Sequence, residues 1–241
     1  MGADVVITDI NLSGAARIGE DLTAETLMAE VQAFGRRSLG VQGDLRDPGF
    51  VADRFAQRVA QVGRLDILVN NAGVAVARGS GPMPPEATND GYTHIMDSNM
   101  RATMLCSEQA ARIMRGQGSG AIIINMSTQC GLAPLKGGSL GVYAAVAAYT
   151  RNLAAEPGPD GIRVNAIAPG IIETARVRAL PPGEGVGTPG QLEAVALRRR
   201  GQPGDVAEIK RLIDRGYVVS LAEALAHERQ VSQTANAAAP P

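Results

Sequence analysis

The run Ile67-Leu68-Val69 breaks into Asn70-Asn71-Ala72-Gly73, an apolar segment ending in two carboxamides and a glycine. A strand that stops this way puts polar side chains and a permissive backbone at its C-terminal end, where open α/β sheets bind cofactors. Asp9 closes another apolar segment, Val5-Val6-Ile7-Thr8. A carboxylate there either caps the next turn or accepts both hydroxyls of an adenosine ribose, and in the second role it repels a 2′-phosphate. Asp44-Leu45 follows Val41-Gln42-Gly43 in the same manner, although Gly-Asp is also a common turn. Ser127 and Thr128 follow the apolar run Ala121–Asn125, and either hydroxyl can donate to a carbonyl oxygen. Cys106 and Cys130 lie in apolar stretches without metal-ligand spacing, so no metal site is expected.

Holding such groups at strand ends requires strands and helices in alternation, and the patterning supplies it. Strands are predicted at 4–8, 38–41, 66–70, 121–125 and 162–168. Helices are predicted at 21–34, 47–62, 88–116 and 141–155. This order implies an α/β fold, a doubly wound parallel sheet flanked by helices. Past Pro169-Gly170 the pattern changes to a Pro/Gly-rich loop at 179–190 and helices at 191–199, 204–214 and 220–232. The Ala/Pro-rich end, 234–241, reads as a frayed tail.

At 241 residues the chain is long enough for one large α/β domain with a substantial core. A net charge of −1 gives no reason to expect nucleic acid or an acidic membrane surface as partner. No apolar stretch reaches the roughly 18 residues that span a bilayer, and the N-terminus lacks a signal-peptide pattern. With two unpaired, apolar-embedded cysteines, these features point to a cytoplasmic protein.

Taken together, residues 2–178 resemble the short-chain dehydrogenase/reductase family, whose members carry an Asn-Asn-Ala-Gly turn after a central strand. The resemblance implies a Rossmann-like dinucleotide-binding domain over 1–178, a substrate loop over 179–203, C-terminal helices over 204–233 and the tail. It implies hydride transfer between NAD and a small alcohol or carbonyl substrate, with NADP less favoured because of Asp9, and assembly into a homo-oligomer. Asp44 matches the Asp that accepts from the adenine amino group, with Leu45 beside the ring, and Asn71, Ala72 and Gly73 match the ribose-lining turn. Asn99 matches the helix Asn whose backbone carbonyl holds a water in the proton relay. Thr128 stands where the family has its catalytic Ser, with Ser127 adjacent, and Tyr143, fifteen residues on, matches the acid/base. Pro169-Gly170-Ile171-Ile172-Glu173-Thr174 matches the segment whose Ile172 backbone and Thr174 hydroxyl hold the nicotinamide carboxamide. Asn165 matches a buttress of that region.

Three departures follow from the same resemblance. Family members place a Lys four residues after the Tyr, one helical turn away on the same face. Here position 147 is Ala147, and the two lysines are Lys136 and Lys210. The text Tyr143-Ala144-Ala145-Val146 reads as Tyr-Ala-Ala-Ser-Lys-Ala-Ala-Val with four residues removed. That is close to one turn, so the helix keeps its phase to within about 40° while losing its cation. A Lys that lowers a Tyr pKa by about three units represents roughly 4 kcal/mol. Losing that and the ribose contact is expected to slow hydride transfer by at least a factor of about 100 to 10,000. The family also opens with a central strand and a Thr-Gly-x-x-x-Gly-Ile-Gly turn, an expected length of about 30 residues ahead of Met1. Without that strand, β-pairing either closes up directly or leaves a gap in the sheet. Finally, Leu221-Ala222-Glu223-Ala224-Leu225-Ala226-His227-Glu228 resembles the C-terminal helices of enoyl-CoA hydratase/isomerase proteins. This implies amphipathic helices that pack on a partner subunit rather than hydratase activity.

Overall fold

The computed structural model describes residues 2–17, 19–20, 22–74, 89–129, 141–179, 189–193 and 198–206. The expected helices at 204–214 beyond Val206 and at 220–232, and the tail, lie outside these residues. The chain divides into two compact units, Met1–Pro169 and Gly170–Pro241.

In the first unit, Val5-Val6-Ile7 and Leu39-Gly40-Val41 lie in β1 (Val5–Asp9) and β2 (Ser38–Gln42), which pair in parallel with Asp9 opposite Gln42. Between them lie a short α1 (Gly14–Arg17) and α2 (Leu27–Ala33). The expected helix over 21–34 begins later than its pattern suggested. Thr26 caps it, accepting from the Ala29 N–H at 3.1 Å, and its extended backbone (φ −143°) stops helix before that point. Asp47 and Pro48 start the next helix in the same way. The carboxylate accepts from the Gly49 N–H at 2.8 Å, and the fixed proline φ suits the first turn. There α3 (Pro48–Phe50), a π-helical turn (Val51–Phe55) and α4 (Ala56–Val62) run on to Gly63, whose φ of +96° ends the helix.

A second parallel sheet joins β3 (Ile67–Asn70), β4 (Ala121–Met126) and β5 (Ile162–Ile167), with β4 in the middle. Its helices are α5 (Asn89–Met96), a π-helical turn (Asp97–Arg101), α6 (Ala102–Gln117) and α7 (Gly141–Ala155). One face packs the core. Leu68, Ile123, Cys106, Ala110, Met114 and Leu153 are buried together, each full aliphatic side chain contributing about 1.5–3 kcal/mol. β3 is buried on one side only. Leu68 and Asn70 point into the core, whereas Ile67 and Val69, on the opposite face, are 44% and 53% exposed. Among the described residues no ladder joins β1 to β3, so the sheet is split at the place where the sequence left two outcomes open.

In the second unit, α8 (Ala175–Arg178) is capped by Thr174, and α9 covers Pro189–Glu193. The helix expected over 191–199 does not run that far: Arg198 has φ +50°, a left-handed conformation that helix excludes. Among the described residues no helix is long and apolar enough to cross a membrane.

Candidate active site

The C-terminal ends of β3 and β4 carry the polar groups of the first unit. Asn70 ends β3 with its carboxamide turned inward, Nδ2 donating to Ser107 Oγ at 2.9 Å and to Asn125 Oδ1 at 2.8 Å. Asn125 Nδ2 donates to Thr150 Oγ1 at 2.9 Å, and that hydroxyl donates to the Val146 carbonyl at 2.7 Å. All four side chains are buried, so the chain of bonds ties β3, β4, α6 and α7 with few donors left unmet. Asn70 is therefore a brace. Asn71, Ala72 and Gly73, next along, are exposed.

Past the turn, Asn99 takes hold of Val74. Its Oδ1 accepts from the Val74 N–H at 3.1 Å, and its Nδ2 donates to the Val74 carbonyl at 2.9 Å and the Ile95 carbonyl at 2.8 Å. Gly73 is needed for this approach, since a Cβ there would overlap Asn99 Oδ1. Asn99 lies in the π-helical turn, and its own carbonyl accepts from Thr103 Oγ1 at 2.7 Å. The carbonyl expected to hold a relay water thus has a protein donor one turn on. The Tyr143 hydroxyl reaches the same turn from α7, donating to the Val74 carbonyl at 3.3 Å.

The two hydroxyls after β4 are placed differently. Ser127 is buried and donates to the Tyr143 carbonyl at 2.9 Å, fastening the first turn of α7 to the strand end. Thr128 is half-buried and donates to the Pro169 carbonyl at 3.3 Å, a long bond that a substrate oxygen can replace.

At the ends of β1 and β2, Asp9 is exposed, and one of its oxygens accepts from the Asn11 N–H at 2.7 Å. Both expected roles remain compatible with this, because the carboxylate has acceptor positions left after that turn. Asp44 lies two residues beyond β2 and is clasped by Arg46, whose Nη2 is 2.7 Å from Oδ2. The Arg46 hydrogen bonds hold the Asp44 carboxyl below its ordinary value. Arg46 Nη1 also lies 3.2 Å from His94 Nδ1 on α5. Sequence reading passed over Arg46, His94 and Thr103. The i+2 and i+4 spacings of Arg46 and Thr103 from the two polar residues were the available signals.

In the second unit, Ile172 bridges Gly201, and the Glu173 carboxylate lies 2.9 Å from Arg200 Nη1. The Thr174 hydroxyl accepts from the Val177 N–H at 3.3 Å as the cap of α8. Gly170 opens this unit, and Pro169 closes the first.

Parallel strands with polar residues at their C-terminal ends define a Rossmann-like α/β protein. A family model described as enoyl-(acyl carrier protein) reductase matches residues 1–212. Cyclohexanol dehydrogenase of Rhodococcus sp. strain TK6 is 32% identical over 215 residues, spanning 86% of this chain and 78% of that protein. A 3α-hydroxysteroid dehydrogenase of Mediterraneibacter gnavus is 38% identical over 170 residues, 70% of this chain and 65% of that one. Among solved structures, a short-chain dehydrogenase of Burkholderia cenocepacia J2315 in complex with NADP superposes with a TM-score of 0.71 at 32% identity, covering 88% of this chain and 80% of that one. A 7α-hydroxysteroid dehydrogenase complexed with NADH and a 7-oxo bile acid gives 0.71 at 26% identity, covering 87% and 76%. The chain belongs to the short-chain dehydrogenase/reductase family.

Proposed function

We propose that this chain serves as an oxidoreductase acting on a small alcohol or carbonyl compound, with NAD preferred over NADP. The observation that carries this reading is the meeting of Tyr143, Asn99 and Val74 beyond the end of β3, with Thr128 beyond the end of β4. A nicotinamide cofactor, when bound, supplies the hydride donor or acceptor. The donor set suits such a molecule in part. Asp9 offers free carboxylate lone pairs to a ribose diol, and Asp44 with Leu45 offers an acceptor and an apolar edge to adenine. Asn71, Ala72 and Gly73 would line the adenosine, while Pro169, Gly170, Ile172 and Thr174 would hold the carboxamide.

Tyr143 would give or take the proton at the substrate oxygen, and Thr128 would donate to that oxygen. Ser127 is the poorer candidate for the second role, because its proton is already committed to the Tyr143 carbonyl. Asn99 would order the turn that the tyrosine touches. One specific observation favours a second reading, in which the chain is impaired or acts without catalysis: Ala147 stands where the family has its Lys.

Titration calorimetry with NAD separates the two. Binding tighter than about 1 mM supports the oxidoreductase, and no heat at that concentration overturns it for this chain. Inserting Ser-Lys-Ala-Ala between Ala145 and Val146 tests the lysine. The expected gain in turnover is about 100-fold or more, and an unchanged rate overturns the account of Tyr143.

A further inference from the structure

Arg46 binds Asp44 with its backbone and its side chain together. Its N–H donates to Oδ1 at 2.9 Å, and Nη2 donates to Oδ2 at 2.7 Å. Nε donates between the two oxygens, at 2.9 Å and 3.0 Å. These donors fill about three of the four lone-pair positions of the carboxylate, leaving about one, on Oδ2. The guanidinium has a further partner: Nη1 lies 3.2 Å from Nδ1 of His94 on α5, 48 residues along the chain. Arginine has no lone pair to offer, so Nδ1 is the acceptor and the ring proton sits on Nε2. The far edge of the fork is thus pinned to a helix, and the carboxylate cannot pivot without parting from it.

An Asp-x-Arg pair with side chains about a third exposed adds little to stability, and alone it would be a surface ion pair closing a turn. The tie across to α5, made just past the end of β2, gives it a different task. We propose that Arg46 and His94 are positioning residues that hold Asp44 as a rigid carboxylate acceptor, so that it selects a 6-aminopurine over a 6-oxopurine. This rests on the oxidoreductase reading, in which Asp44 takes the adenine amino group, and Arg46 and His94 stand behind it. An amino group offers an N–H to the lone pair left on Oδ2, whereas a 6-oxo group sets acceptor against acceptor. A 6-oxopurine also carries a proton on the neighbouring ring nitrogen, and a carboxylate free to pivot could accept it. One held by a planar fork and a helix cannot follow. Hydrogen bonds from the Arg46 side chain also hold the Asp44 carboxyl below its ordinary value, so it has no proton to donate to a 6-oxo oxygen.

Titration calorimetry on the full chain with NAD and with nicotinamide hypoxanthine dinucleotide reads this selection as a ratio of two dissociation constants. The wild type is expected to prefer NAD by about tenfold or more. Arg46→Met should bring the two ligands to within about threefold of each other. Arg46→Lys keeps the charge without the fork and should lose most of the preference as well. His94→Leu should lower the ratio, and His94→Gln, whose amide oxygen accepts from Nη1, should restore it to within about threefold of the wild type. If Arg46→Met fails to fold, the two His94 variants decide. A pair that only stabilised the fold would weaken both ligands equally and leave the ratio unchanged. That result, or a wild type that takes both dinucleotides equally, overturns the proposal and leaves the oxidoreductase reading standing. No heat with either dinucleotide at about 1 mM overturns both.

Discussion

Asn99 holds Val74 by both of its backbone groups, accepting from the N–H at 3.1 Å and donating to the carbonyl at 2.9 Å. The Tyr143 hydroxyl donates to that same carbonyl, so the position of the tyrosine depends on a carboxamide that touches it only through the backbone.

Asn99→Ala removes three buried side-chain hydrogen bonds and leaves the Val74 N–H without its acceptor. A loss of about 2–4 kcal/mol in stability is expected, read as a lower thermal midpoint. Gly73→Ala should act on the same clasp, because the added methyl overlaps Asn99 Oδ1 and must push the turn away. A melting curve for Gly73→Ala that matches the wild type would contradict this picture.

Ser127 and Thr128 should separate by readout. Ser127→Ala breaks the bond to the Tyr143 carbonyl and is expected to cost about 1–3 kcal/mol in unfolding free energy. Thr128→Val keeps the shape, removes the hydroxyl, and should reduce any NAD-linked alcohol turnover by about 100-fold or more, with little change in melting. The opposite assignment of effects would transfer the donor role to Ser127.

Stability should decline in alkali. Burial pushes the Cys106 thiol from 9.0 up to about 12 and the Tyr149 phenol from 10.0 up to about 12. Above pH 9 the unfolded chain releases the thiol proton while the folded chain keeps it. The stability present below that pH is thus lost as pH rises toward 12, by about 1.4 kcal/mol per pH unit for each such group. Thermal melts between pH 7.5 and 10.5 should show this slope, and Cys106→Ala should flatten the part of it that begins near pH 9.

The buried carboxamide chain offers a further measurement. Asn125→Leu keeps the branched outline, with bulkier methyls, but strips an acceptor from Asn70 and a donor from Thr150. An expected loss of about 2–4 kcal/mol follows from the polar atoms left behind in the core. Asn70→Leu in the same background should then cost less than it does alone, the sign of a shared network.

Much of the first unit was legible because its signals are local. Apolar segments marked the strands, and the helix predicted over 47–62 matches the helical run from Pro48 to Val62. The strand-end position of Asp9 and the polar turn after Leu68 followed from the same pattern. What stayed hidden depends on contacts distant in sequence. Nothing in Asn70 distinguishes a brace from a ligand until Ser107 and Asn125 are brought against it. The choice between Ser127 and Thr128 rests on which carbonyl each meets across the fold. Helix α2 started late because Thr26 outcompeted a periodic pattern with a cap, and the stretch to Arg199 failed on a single left-handed residue.

The split between β1–β2 and β3–β4–β5 has a bearing on how the molecule breathes. A two-stranded ladder standing apart is the least cooperative kind of sheet, since opening it disturbs one set of backbone bonds only. The amide protons of Val5 to Asp9 should therefore trade with solvent deuterium sooner than those of β4, which is paired on both sides. Asp9 and Asp44 ride on the faster-exchanging piece and Tyr143 on the slower. A ligand seized by the two carboxylates would then announce itself as slowed deuterium uptake at one end of the chain, well before any turnover is seen.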